Sequence, residues 1–147
     1  MTLINERTSG VVASSVEIAW THSERRRGLL GRDRLAPDRA LVITSCYSVH
    51  TIGMRFEIDV AFVDGSGRVR KIVNAMPKWR IAGCMDATVT IEFAAGVLNG
   101  VLAVGDRVHL IAAPGETAVR IPKALVRQET RDSSAEMRSR VVPELSD

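Results

Sequence analysis

Between residues 54 and 64 apolar and polar side chains alternate. Met54, Phe56, Ile58, Val60 and Phe62 fall on one parity, against Arg55, Glu57, Asp59, Ala61 and Val63 on the other. A period of two is that of a half-buried β-strand. Asp64-Gly65-Ser66-Gly67 is a turn signal, and residues 68–74 read as the returning strand of a hairpin. Val12, Val16, Ile18 and Trp20 repeat the even spacing and predict a strand over 11–20. Thr21 stands three residues before Glu24, a capping-box spacing, which predicts a short helix over 22–30 closed by Gly31. Shorter apolar runs predict strands over 41–44, 88–93 and 108–112. A helical turn or two is expected over 95–102, interrupted by Gly96 and Gly100, and an edge strand over 118–121 is limited by Pro122.

Short strands at this spacing predict a mainly β fold. The expectation is a single compact antiparallel β-sandwich or barrel-like domain with one or two short helices, spanning residues 8–113. Residues 114–147 are a C-terminal extension. It is expected to be flexible from about residue 127, where the chain is polar, carries both charge signs and loses its apolar period.

Composition narrows the class. A chain of 147 residues that is 46% hydrophobic and 25% charged is that of one soluble domain with a tail. No apolar run approaches the roughly 18 residues of a membrane span. Residues 1–10 lack the cationic-then-apolar order of an export signal, so a cytoplasmic protein without membrane contact is expected. The net charge is only +3, the basic residues are interspersed with acids, and aromatics make up 4%. Little is left for stacking bases, and no nucleic-acid-binding motif accompanies the basic run at 24–34, so no nucleic-acid partner is expected. Cys46 and Cys84 read as two buried thiols, to be joined only if their Cα atoms fall within about 7 Å. A monomer is the favoured state.

No phosphate-cradling loop, nucleophile elbow or metalloprotease motif is present. The chemistry-bearing stretch runs from Cys46 through Ser48, His50 and Thr51 to Arg55, Glu57 and Asp59. An unbroken strand would aim Cys46, Ser48 and His50 at the core, where each would cost free energy without a partner. A bulge at Gly53 would instead place them on the face of Arg55, Glu57 and Asp59. Imidazole titrates near physiological pH, so His50 serves either as a hydrogen-bonded core histidine or as a proton-transfer or ligand-binding group. Arg55 is either part of a solvated face or an anchor for a carboxylate or phosphate. Cys46 and His50 on a strand stand about 13 Å apart, too far to share an ion, and no metal or other cofactor is expected. Trp79 and Arg80 form a second patch, either core cover or an exposed platform beside a cation. Glu92 could pair with Arg80, and Asp106 most simply satisfies backbone donors in a turn.

The order of motifs resembles a known family. Arg27-Gly-Leu-Leu-Gly-Arg32 is followed by the block from His50 to Asp64, then Pro77-x-Trp-Arg80, Glu92-x-x-Ala-Gly96 and Val104-Gly-Asp-Arg-Val108. This resembles the conserved prokaryotic domain of unknown function 192 over residues 11–110, with Leu30 where relatives often have methionine. The resemblance implies a compact β sandwich or barrel-like domain and no established reaction or cofactor.

The sequence therefore favours a non-catalytic binding module. Its ligand would be a small polar molecule or a segment of a partner protein, held by His50, Thr51, Arg55 and Asp59 with Trp79 and Arg80 at the rim. One alternative is a small hydrolase or isomerase with His50 as general base oriented by Asp59. The other is a structural accessory protein with no pocket at His50.

Overall fold

In the computed structural model, which describes residues 1–116 and 121–127, every residue of the strand Ile58–Val63 is buried. A strand with one wet face cannot show that pattern, so both faces of its sheet must be covered. The covering layers follow from the strand order. β1 (Thr2–Asn5), β2 (Gly10–Ala13) and β10 (Val108–Ile111) form a three-stranded sheet ordered β10-β1-β2. β3 (Ser15–Ala19), β4 (Arg39–Thr44), β6 (Ile58–Val63), β7 (Val69–Met76) and β9 (Val89–Ala94) form a five-stranded sheet ordered β3-β4-β9-β6-β7. β5 (Ser48–His50) and β8 (Ile81–Gly83) pair as a separate arm. The helix α1 (His22–Arg27) and a 3-10 turn at Lys123–Leu125 complete the described elements.

The fold is mainly β and sandwich-like, and no barrel closes among the described residues. On one face of the large sheet, Val42, Ala61, Val63, Ile91 and Phe93 pack with Leu3, Val12 and Leu110 of the small sheet. On the other, Leu41, Ile43, Val60 and Phe62 lie under Leu29, Leu35, Val49 and Met54. Each large apolar side chain so buried contributes about 1.5–3 kcal/mol.

Where the elements depart from the sequence reading, a hydrogen bond or a covering layer explains it. The expected strand over 11–20 is two strands. The N–H groups of Ser14 and Ser15 both donate to the Asp38 carbonyl, and the chain changes sheets there. β3 and β4 run parallel, the one exception among the named pairs to the antiparallel expectation. The capping box forms as predicted, with Glu24 N–H donating to Thr21 Oγ1 at 3.1 Å. The helix nevertheless stops at Arg27, because Gly28 takes φ 47° and ψ −126°, which breaks the helical path before Gly31 is reached. Residues 95–101 form turns, and Leu102 N–H donates to the Leu98 carbonyl at 3.2 Å as in a single helical turn. The hairpin turn holds, with Asp64 Oδ1 accepting from the N–H groups of Ser66 and Arg68. β1 lies upstream of residue 8, and its Leu3 is fully buried. Downstream, Leu125 is buried in the same core, and the chain reaches it by passing over Gly67, where a Cβ would stand 2.6 Å from the Ala124 carbonyl oxygen. The strand expected over 118–121 and the tail beyond 127 fall almost wholly outside the described residues.

Asp59 organises the turns of residues 95–102. It is fully buried, its Oδ1 accepts from Ala75 N–H at 2.7 Å and its Oδ2 from Leu98 N–H at 3.0 Å. One carboxylate thus ties β6 to the end of β7 and to the turns after β9. An amide offers only one acceptor, so Asp59→Asn turns a donor toward one of these N–H groups. We expect a loss of about 2 kcal/mol, read as a lower urea midpoint with an unchanged slope.

Candidate functional site

The helix α1 has no apolar residue to seal against the sheet beneath it, and none of its residues is buried. It leaves a cleft of about 330 Å³ between itself, β5 and the face of the large sheet. His22, Arg25 and Arg26, spaced three and four apart and so on one helical face, form one wall. Cys46, Ser48 and His50 form the other, and Ile43, Met54 and Glu92 lie at its base. The volume is at the lower end of the range for small-molecule sites.

Glu92 sits on β9, opposite Leu41 of β4 and Val60 of β6. It is only 3% exposed, its Oε2 has no hydrogen-bond partner among the described residues, and burial raises its pKa to about 7 against the opposing pull of the Arg32 charge. Arg32 cannot neutralise it fully, since its guanidinium is held by Glu17 at 2.7 Å. The backbone at Gly28 closes over the carboxyl. A Cβ there would stand 3.9 Å from Glu92 Oε2. A second cleft of about 300 Å³ opens on the far side of Gly28, between Glu24, Arg27, Arg32 and Glu17. Buried acids with raised pKa values in clefts are where proton transfer and ligand recognition concentrate.

The structure distributes the sequence-predicted residues among different places. His50 is exposed and lines the cleft. Gly53 does not form the expected bulge. It occupies a turn closed by Met54 N–H to the Thr51 carbonyl, at 3.1 Å, and the strand resumes only at Ile58. Arg55 therefore leaves the strand and pairs with Asp33 at the surface. Asp59 faces the opposite side of the sheet from Glu92, beside Phe93, with both oxygens satisfied by backbone donors. The expected cluster of His50, Arg55 and Asp59 is not assembled, and Asp59 does not orient His50. The two cysteines are half-buried and unlinked.

Thr51 is buried and works on the chain rather than facing the cleft. Its hydroxyl donates to the Pro77 carbonyl at 2.6 Å and accepts from Arg80 N–H at 2.9 Å, while its own carbonyl accepts from Trp79 N–H. This clamp holds Trp79 at φ 63°, a strained position for a bulky residue, with its side chain 65% exposed. The Arg80 guanidinium donates to the Trp79 carbonyl. Thr51→Val keeps the shape and removes both hydroxyl bonds. It should cost about 1–2 kcal/mol and broaden or shift the Trp79 indole N–H resonance; an unchanged resonance would show that the clamp does not set the loop.

Glu92 is the residue that sequence reasoning placed wrongly, as a partner for Arg80. A signal was available, because it is the one charged residue in an otherwise apolar and threonine-bearing strand. Arg25 and Arg26 were visible only as part of a basic run, and His22 only as the start of a predicted helix.

Comparison with solved structures supports the fold. A protein of unknown function from Novosphingobium aromaticivorans superposes with a TM-score of 0.66 at 19% identity, over 75% of this chain and 84% of that one. A protein from Sinorhizobium meliloti, described as a candidate transcription regulator, superposes with a TM-score of 0.64 at 21% identity, over 74% and 89%. No curated protein matches the sequence. Among the described residues no helix is long and apolar enough to cross a membrane. The family model that does match spans residues 3–110, from the first strand to the last and through every element that builds the cleft, so this chain belongs to the DUF192 family, described as "Uncharacterized ACR".

Proposed function

We propose that this domain is a binding module for a small polar molecule, with the cleft between α1 and β5 as its site. One observation carries the reading. Glu92 is buried at the base of an open cleft with a carboxyl oxygen that no group among the described residues satisfies, a cost that a folded domain removes only when something else supplies the partner. His50 stays in the proposed site, and Glu92 replaces Arg55 and Asp59 beside it.

Thermal unfolding against a library of metabolites tests this. A ligand at about 100 times its dissociation constant adds roughly 2.7 kcal/mol, a rise on the order of 10 °C for a domain of this size. The rise should vanish in Glu92→Leu, which fills the same space without a hydrogen-bonding group. A ligand whose effect survives that substitution binds elsewhere and overturns the assignment.

The pKa near 7 favours a second reading, in which Glu92 takes the acid–base role first considered for His50. The domain would then be a small isomerase or hydrolase. Turnover of a bound library compound, lost in Glu92→Gln while binding persists, separates this reading from simple recognition.

A further inference from the structure

We infer that the ligand of this cleft is an anion, a molecule bearing a carboxylate or phosphate group that seats against Arg25 and Arg26 while an acceptor atom meets the Glu92 carboxyl. This rests on the cleft being the binding site and adds the chemical class of what fills it.

The charge distribution around the cleft is the first support. Arg7, Arg32, Arg39, Arg55 and Arg70 each meet a carboxylate. Among the described residues Arg34, Arg68, Arg80 and Arg107 elsewhere meet none, and neither do Arg25, Arg26 and Arg27, which line the cleft, although Glu24 lies beside these three in the helix. The capping box explains why: the Glu24 carboxylate is turned back onto the N–H groups of Trp20 and Thr21. The same local bonds that start the helix thus remove the one acid that would neutralise its cationic wall. The remaining lining residues include His22 and His50 but no acid other than Glu92. Guanidinium groups match carboxylate and phosphate oxygens with paired donors.

The base of the cleft agrees with this. An ionised Glu92 would repel an anion, but burial raises its pKa to about 7, so below that pH the neutral acid predominates, and a neutral carboxyl donates a hydrogen bond. A cationic wall above a buried acid therefore presents donors from both sides. A cationic ligand would meet the arginines as like charges.

The experiment follows backbone amide resonances of the ¹⁵N-labelled full chain as malonate, inorganic phosphate or neutral malonamide is added, with sodium chloride at matched ionic strength as reference. Saturable shifts at Gly28, Leu29 and His50 with malonate or phosphate, absent with chloride, are expected. Whichever of the two binds tighter names the anionic group. Arg25→Gln/Arg26→Gln should weaken that binding about tenfold or more, whereas Arg68→Gln, remote in sequence and of equal charge loss per residue, should not. Malonamide binding as tightly as malonate, indifferent to the double substitution, overturns the anionic assignment and leaves the cleft as a binding site. Equal weakening by Arg68→Gln reduces the effect to net charge and also overturns it. Silence from both anions at the cleft overturns it as well, and a Glu92-dependent neutral compound from the library would then show that only the ligand class was wrong.

Discussion

Glu92→Gln should stabilise the protein by about 3 kcal/mol at pH 8 and change it little near pH 4.5. The carboxyl titrates at about 7 in the folded protein against an ordinary value of 4.5, chiefly because burial disfavours its charge, with Arg32 opposing. The folded state therefore holds this proton more tightly than the unfolded chain does. Its contribution is complete below the unfolded value and is lost as pH rises through the folded one. About 2.5 pH units at 1.36 kcal/mol each gives the expected size. Glutamine mimics the protonated acid, so the variant should keep its stability where the native protein loses it. Urea unfolding from pH 4.5 to 8 reads the difference directly. Parallel curves for the two proteins would mean that Glu92 is solvated and that the cleft is wetter than its geometry indicates. A protein more stable without its buried acid is what a binding group, retained for its ligand rather than for the fold, would produce.

Asp106→Asn should act in the opposite direction, costing about 3 kcal/mol and lowering the melting temperature by roughly 10 °C. The buried Asp106 carboxylate accepts from Arg7 Nε at 2.6 Å, from Asn5 Nδ2 at 2.8 Å and from Ala103 N–H at 2.9 Å. It ties the loop after β1 to the turn before β10, and Asn5 is itself fully buried. The amide keeps an acceptor for Arg7 but aims its NH₂ at two other donors. The Arg7 hydrogen bond first, then those from Ala103 and Asn5, holds the carboxyl near pKa 2 against 3.8. Its stabilisation is therefore complete above 3.8 and disappears as pH falls through about 2. Acid unfolding of the native protein should be steeper than that of the variant over this window. Coincident acid limbs would show that the carboxylate carries no such weight.

Together the two acids bound a pH range. Asp106 withdraws stability on the acid side, and Glu92 withdraws it on the alkaline side. Burial pushes both carboxyls up, but at Asp106 the donors supplied by the chain outweigh it, and Glu92 has none among the described residues.

The elements legible in the sequence are those closed by short-range bonds. Thr21 and Glu24 cap α1 within three residues, and Asp64 closes its hairpin turn within four. Their residue types bring their own donors and acceptors, whatever the rest of the chain does. The alternation over 54–64 located β6 but misjudged its environment, because a half-buried strand and a strand covered on both sides share Ile58, Val60 and Phe62. Gly53 was legible as a break in the strand pattern, yet a bulge and a turn explain such a break equally well. The choice between them moved Arg55 to the surface and left Asp59 on the far face.

Sequence alone determined the mainly β class, the caps and turns, and the family to which the domain belongs. Only the tertiary structure decided that Glu92, and not Asp59, shares a cleft with His50. A side chain's face follows from its own strand, but what covers that face comes from segments distant along the chain. Here the cover is α1 and β5, more than 40 residues before Glu92. Burial without a partner, which gives Glu92 its chemistry, belongs to that meeting of segments and cannot be read from any one of them.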